Sequence, residues 1–101
     1  MTNPTENKPT RINIELPADL EATYANLALI SQSPSEIIFD FARVMPNSPK
    51  SRIYSRIVMT PLNAKLLHRA LTESLQKYEA SYGTINIPEN VAIDPSRGFV
   101  K

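Results

Sequence analysis

The sequence predicts an α+β protein: a mostly antiparallel sheet of three or four strands with one long C-terminal helix packed on one face. Three observations carry this expectation. Runs rich in Ile, Phe, Tyr and Val alternate with clusters of turn formers up to residue 60. Thr60-Pro61 then combines an N-cap hydroxyl with a proline suited to a first helical position. After it, Leu67, Ala70, Leu71, Leu75, Tyr78 and Tyr82 recur at helical spacing up to Gly83, a C-cap residue. A chain of 101 residues holds one core of useful size, so residues 11–83 are read as a single domain.

Residues 1–10 carry prolines, asparagines and threonines without an apolar run, which predicts a flexible arm. Arg11 to Leu16 alternates, with Ile12, Ile14 and Leu16 on one side, and predicts a half-buried strand ended by Pro17. Tyr24–Ile30, Glu36–Met45 and Ser51–Met59 predict three strands of a meander, separated by Ser31-Gln32-Ser33-Pro34-Ser35 and Pro46-Asn47-Ser48-Pro49. The helix from Leu62 to Tyr82 should be roughly 30 Å long, and Glu73 and Lys77 form an i, i+4 pair on its polar side. Residues 84–101 read as an extended tail able to dock as an edge strand.

Composition removes much chemistry. There is no Cys and one His, His68, so disulfides, thiol nucleophiles, thiolate metal sites and most imidazole metal centres drop out. No cofactor is expected. A lone helical His lacks the positioned partner that acid–base catalysis needs. Eleven basic against ten acidic residues leave a net charge of +1, too little to draw the whole molecule to nucleic acid or anionic lipid. With no secretory signal pattern and no segment near the ~20 apolar residues of a membrane span, a cytoplasmic location is expected.

The middle of the chain has a rival reading. Arg11 to Pro17 followed by Leu20, Tyr24 and Leu27 resembles the opening of a ribbon-helix-helix DNA-binding regulator, and Ser33-Pro34-Ser35-Glu36 is a possible capping box for a second helix. Ile37-Ile38-Phe39-Asp40-Phe41 prefers strand, and Glu15 on the would-be DNA-reading side would meet phosphates. The strand reading is therefore adopted.

Scattered motifs point the same way: Tyr24-Ala25-Asn26, Ser33-Pro34-Ser35-Glu36, Asp40-Phe41-Ala42, Ser55-Arg56-Ile57-Val58-Met59-Thr60-Pro61, Ala64-Lys65 and Lys77-Tyr78-Glu79. Over about residues 11–83 the chain resembles a family of small bacterial and archaeal proteins known as domain of unknown function number three-four-six-seven. The resemblance implies a strand-rich front and a C-terminal helix, and no activity.

One polar constellation carries chemistry. Hairpins centred on Ser33 and Ser48 would place Asn26 beside Asp40, and Asp40 beside Arg56, in one row across the sheet. The odd-numbered side, with Leu27, Leu29, Ile37, Phe39, Phe41, Met45, Ile53, Ile57 and Met59, would meet the helix. The even-numbered side, with Tyr24, Ala28, Ile30, Ile38, Ala42, Val44, Tyr54 and Val58 around the polar row, is too apolar to face water. A second copy is the simplest cover. The expected role is a non-enzymatic homo-oligomeric module, binding or chaperone-like, with Tyr24, Asn26, Asp40, Tyr54 and Arg56 at its interface. It resembles preprotein-export chaperones in general plan only, and a protein or peptide is a further candidate partner. The alternatives are the DNA-binding regulator and a small-anion site centred on Arg56, with Arg52 and Arg43 beside it.

Overall fold

The computed structural model describes residues 11–47, 51–89, 92–94 and 98–100, so the arm expected over residues 1–10 lies outside the described residues. Strands β1 (Leu27–Gln32), β2 (Ile37–Arg43) and β3 (Arg52–Met59) are followed by helix α1 (Pro61–Tyr82) and by short strands β4 (Ala92–Asp94) and β5 (Gly98–Val100). The α+β class is as expected. All strand pairs are antiparallel, in the order β3-β2-β1-β5-β4. The sheet thus has five strands, because β4 and β5 form in the region expected to be an extended tail and continue the sheet beyond β1. The ribbon-helix-helix architecture would need helices where β1 and β2 lie, and the β-branched and aromatic residues of Ile37–Phe41 form a strand instead.

Register was the least local of the expectations, and it divides. Asp40 lies opposite Arg56, as the Ser48-centred hairpin predicts. It lies opposite Leu29 on β1, however, and not opposite Asn26, a displacement of three residues. The cause is the turn: Ser33 N donates to Glu36 O at 2.9 Å, so Ser33-Pro34-Ser35-Glu36 forms the loop and its centre falls after Pro34. An odd displacement turns a strand over. Leu27 and Leu29 therefore share a face with Ile38, Asp40 and Ala42, while Ala28 and Ile30 join Phe39 and Phe41. A register shift at Phe41/Ala42 sets Ile53 opposite Ala42, so Ile53 also leaves the Phe face.

Arg11–Leu16 does not join the sheet. Its residues have no ladder partner, and Ile12, Ile14 and Leu16 are exposed. Alternation fixes which side of an extended segment is apolar; it supplies no neighbour for the backbone N–H and C=O groups. The nearest order is a turn in which Leu20 N donates to Pro17 O at 3.2 Å.

The helix starts as the sequence predicts and ends at the expected residue, Gly83, though not in the left-handed conformation expected there. Thr60 is the N-cap, its Oγ1 accepting from Asn63 N at 3.1 Å, and Pro61 begins the helix. Gly83 closes it by donating its N–H to Glu79 O at 2.9 Å. Its φ of 98° is positive, but ψ of 168° is extended, so the cap is not left-handed helical; this region is open essentially to glycine alone. Glu79 also turns its carboxylate onward, Oε2 accepting from Ile85 N at 2.8 Å, which ties the exit segment to the last turn.

Packing departs from expectation more than secondary structure does. The helix was expected to cover one face of the sheet. Instead it meets the sheet chiefly at β3, the strand it follows directly, and none of its residues is buried. The connection explains this: Thr60 alone separates Met59 from Pro61, fewer than the roughly two to six residues with which a helix normally folds back onto its sheet. Among the described residues only Ala42 and Asp40 are buried.

Candidate functional site

Asp40 sits in the middle of the central part of the sheet, on β2 between β1 and β3. Direct pairing of Asp40 with Arg56 brings a planar guanidinium beside a carboxylate, and the two groups lock: Nε donates to Oδ1 at 2.7 Å and Nη2 to Oδ2 at 3.1 Å. The bidentate pair is the one expected from the sequence. Its partners live in different surroundings, with the Asp40 side chain 11% exposed and that of Arg56 65%. The Arg56 hydrogen bonds hold the Asp40 carboxyl below its ordinary range and outweigh the upward push of burial, with the Arg56 charge adding to the effect. The same hydrogen bonds, and the Asp40 charge, raise the Arg56 guanidinium further.

Asn26 belongs elsewhere. Its Nδ2 donates to Val44 O at 3.0 Å and its Oδ1 accepts from Val44 N at 2.7 Å, while its own backbone N donates to Ala42 O at 3.1 Å. The primary amide thus copies a peptide group and prolongs the β1–β2 ladder by one rung. The expected three-residue polar row is in fact a two-residue ion pair plus a separate strand-end clasp. Residue type gave no sign of Val44 as the partner, because both bonds are to its backbone.

Tyr24 and Tyr54 come together as neighbours, though not around Asp40. With Ala22, Thr23 and Arg43 they line a shallow open cleft of about 220 Å³. The Arg43 guanidinium lies 5.3 Å above the Tyr54 ring centroid, and its Nη2 reaches the Tyr54 hydroxyl at 3.5 Å. Arg43, named from sequence only as a companion of Arg56, is thus spent on stacking. His68 lies exposed on the helix, and its backbone oxygen accepts from Thr72 Oγ1 at 2.9 Å.

The larger feature is apolar. Pairing across β1, β2 and β3 puts Ala28, Ile30, Ile37, Phe39, Phe41, Ile57 and Met59 on one side of the sheet, with Gln32 and Ser55 among them and the Arg43/Arg52 pair at one end. Phe39 and Phe41 lie nearly parallel, ring centroids 6.4 Å apart, and Ile30 and Ile57 are 42% and 40% exposed. On α1 a second stripe, Leu67, Leu71, Leu75 and Tyr78, is likewise exposed, and Tyr78 stacks at a tilt on Tyr82 with centroids 4.9 Å apart. Among the described residues no group of three or more His, Cys, Asp or Glu could hold a metal ion. No helix among them is long and apolar enough to cross a membrane.

An antiparallel sheet with a cross-strand ion pair and a directly attached, exposed helix defines the class, an α+β protein. The family model described as Protein of unknown function (DUF3467) matches residues 1–87, and the chain belongs to that family. No curated protein and no solved structure matches it.

Proposed function

We propose that this protein is a non-enzymatic, self-assembling interaction module whose functional unit is a dimer or a multiple of dimers. The observation that carries the reading is the uncovered apolar surface. Ile30, Ile57, Leu67, Leu71, Leu75 and Tyr78 are each 40–52% exposed, on a sheet face and a helix stripe that do not bury one another. Apolar side chains left in water in this way mark a surface that an interface covers. A symmetric second copy is the simplest supply of matching surface, and near-neutral net charge, +1, raises no barrier to it.

The electrostatics favour binding over catalysis. Asp40 is committed to Arg56 and held ionised, the opposite of a carboxyl tuned to exchange protons near neutral pH. A pair with one partner buried and the other exposed adds little net stability, and its part here is to fix the β2–β3 register. An anion site on Arg56 would have to compete with that carboxylate. The reading keeps the cytoplasm as the working compartment. Sedimentation velocity at micromolar concentration tests it: a dimer or higher even assembly is expected, and a stable, folded monomer overturns it.

A further inference from the structure

We infer that α1 of each copy lies across the Phe39/Phe41 face of the other copy, an exchange of helices through the Thr60 junction. The inference rests on the self-assembly reading and adds which surface meets which.

Three observations on the chain lead to it. The first is the pair of unpartnered surfaces: a sheet face bearing Ile30, Phe39, Phe41 and Ile57, and a helix stripe bearing Leu67, Leu71, Leu75 and Tyr78. The charges on that side of the sheet, Arg43 and Arg52, are exposed and lie at one end of β2 and β3, so an apolar stripe seated on Phe39 and Phe41 need not strand them. The opposite face carries the Asp40–Arg56 pair and is the poorer seat for an apolar stripe.

The second is the junction. Thr60 is extended, with φ of −66° and ψ of 155°, and its side chain is fastened to Asn63 N as a cap. Loosening it to reverse the chain would break that cap and unwind the first turn. A connection too short and too fixed to fold back is the circumstance in which an element exchanges between copies.

The third is dimension. Twenty-two residues of α1 extend about 33 Å. Five strands at about 4.8 Å spacing make a sheet roughly 19 Å across, and the seven residues of β2 run about 23 Å. One helix therefore spans the sheet in any direction, and its four stripe residues fall at i, i+4, i+8 and i+11, on a single side.

The test uses the absence of cysteine from the chain. Leu71→Cys and Ile57→Cys are made separately, mixed after joint refolding, and treated with a short bis-maleimide; Leu75→Cys with Ile30→Cys repeats the measurement at other positions. Exchange predicts a cross-linked species of twice the chain mass in each mixture, well above that in either variant alone. It also predicts that the double variant Leu71→Cys/Ile57→Cys links between chains. A link closed within one chain of the double variant, at unchanged mass, overturns the exchange. So does a protein that sediments as a dimer yet gives no helix-to-sheet link at either pair of positions, an outcome that leaves self-assembly standing and removes only this arrangement.

Discussion

Arg56 and Asp40 face each other across β2 and β3 in two parallel hydrogen bonds of 2.7 and 3.1 Å, and they pay unequally for being parted. Removing Arg56 leaves a carboxylate that is 11% exposed without its donors, whereas removing the Asp40 charge leaves a guanidinium that is 65% exposed and can hydrate. Arg56→Ala should therefore lower the melting temperature more than Asp40→Asn at pH 7. Combining the two should recover part of the Arg56→Ala loss. Equal losses from the two single changes would contradict this account of the pair.

Acid should reveal the same carboxyl. Its folded-state pKa lies below its unfolded one because Arg56 stabilises the charged form. Its contribution is then complete above the unfolded value of about 3.9 and disappears as pH falls through the folded value. The stability difference between the natural protein and Asp40→Asn should be constant from pH 7 to pH 5 and shrink below about pH 4. Urea titrations across that range measure it, and a difference that grows on acidification would refute the assignment.

Asn26 predicts a local effect. Asn26→Ala removes both bonds to the Val44 peptide, at a cost of about 2 kcal/mol if each bond is worth about 1. Asn26→Asp keeps the acceptor for Val44 N and loses the donor to Val44 O. Amide exchange at Val44 should quicken strongly in the alanine variant and less in the aspartate one.

The helix ends can be tested by rescue. Thr60→Ala should cost about 1 kcal/mol and Thr60→Ser only a fraction of it, because the serine hydroxyl still caps. At Gly83 a Cβ would meet no atom within 4 Å, so Gly83→Ala isolates the backbone penalty of φ 98°, about 1–3 kcal/mol. Chemical denaturation followed by helical circular dichroism reads both.

What could be foreseen from the sequence depended on how local each cause was. Thr60, Pro61 and Gly83 act within one turn, and the helix stands where they put it. The Asp40–Arg56 pairing was legible because the symmetry of the turn formers between the two strands gives the register that β2 and β3 adopt there. The β1 register was not, since the choice between a loop centred on Ser33 and one centred after Pro34 rests on a single hydrogen bond from Ser33 to Glu36. That small difference turned over Leu27, Leu29, Ala28 and Ile30 and removed Asn26 from the polar row. The alternation of Arg11–Leu16 was real, but pairing needs a neighbour that periodicity does not name. Helix amphipathicity likewise shows that a stripe seeks cover, and says nothing of whose sheet provides it.

If folding and assembly are one process, thermal stability must depend on protein concentration. Melting curves recorded over a hundredfold range of concentration therefore probe the main claim most directly. The expected result is a single transition whose midpoint climbs steadily with concentration; a midpoint that stays fixed across the range, for a protein that melts cooperatively as a monomer, would contradict it.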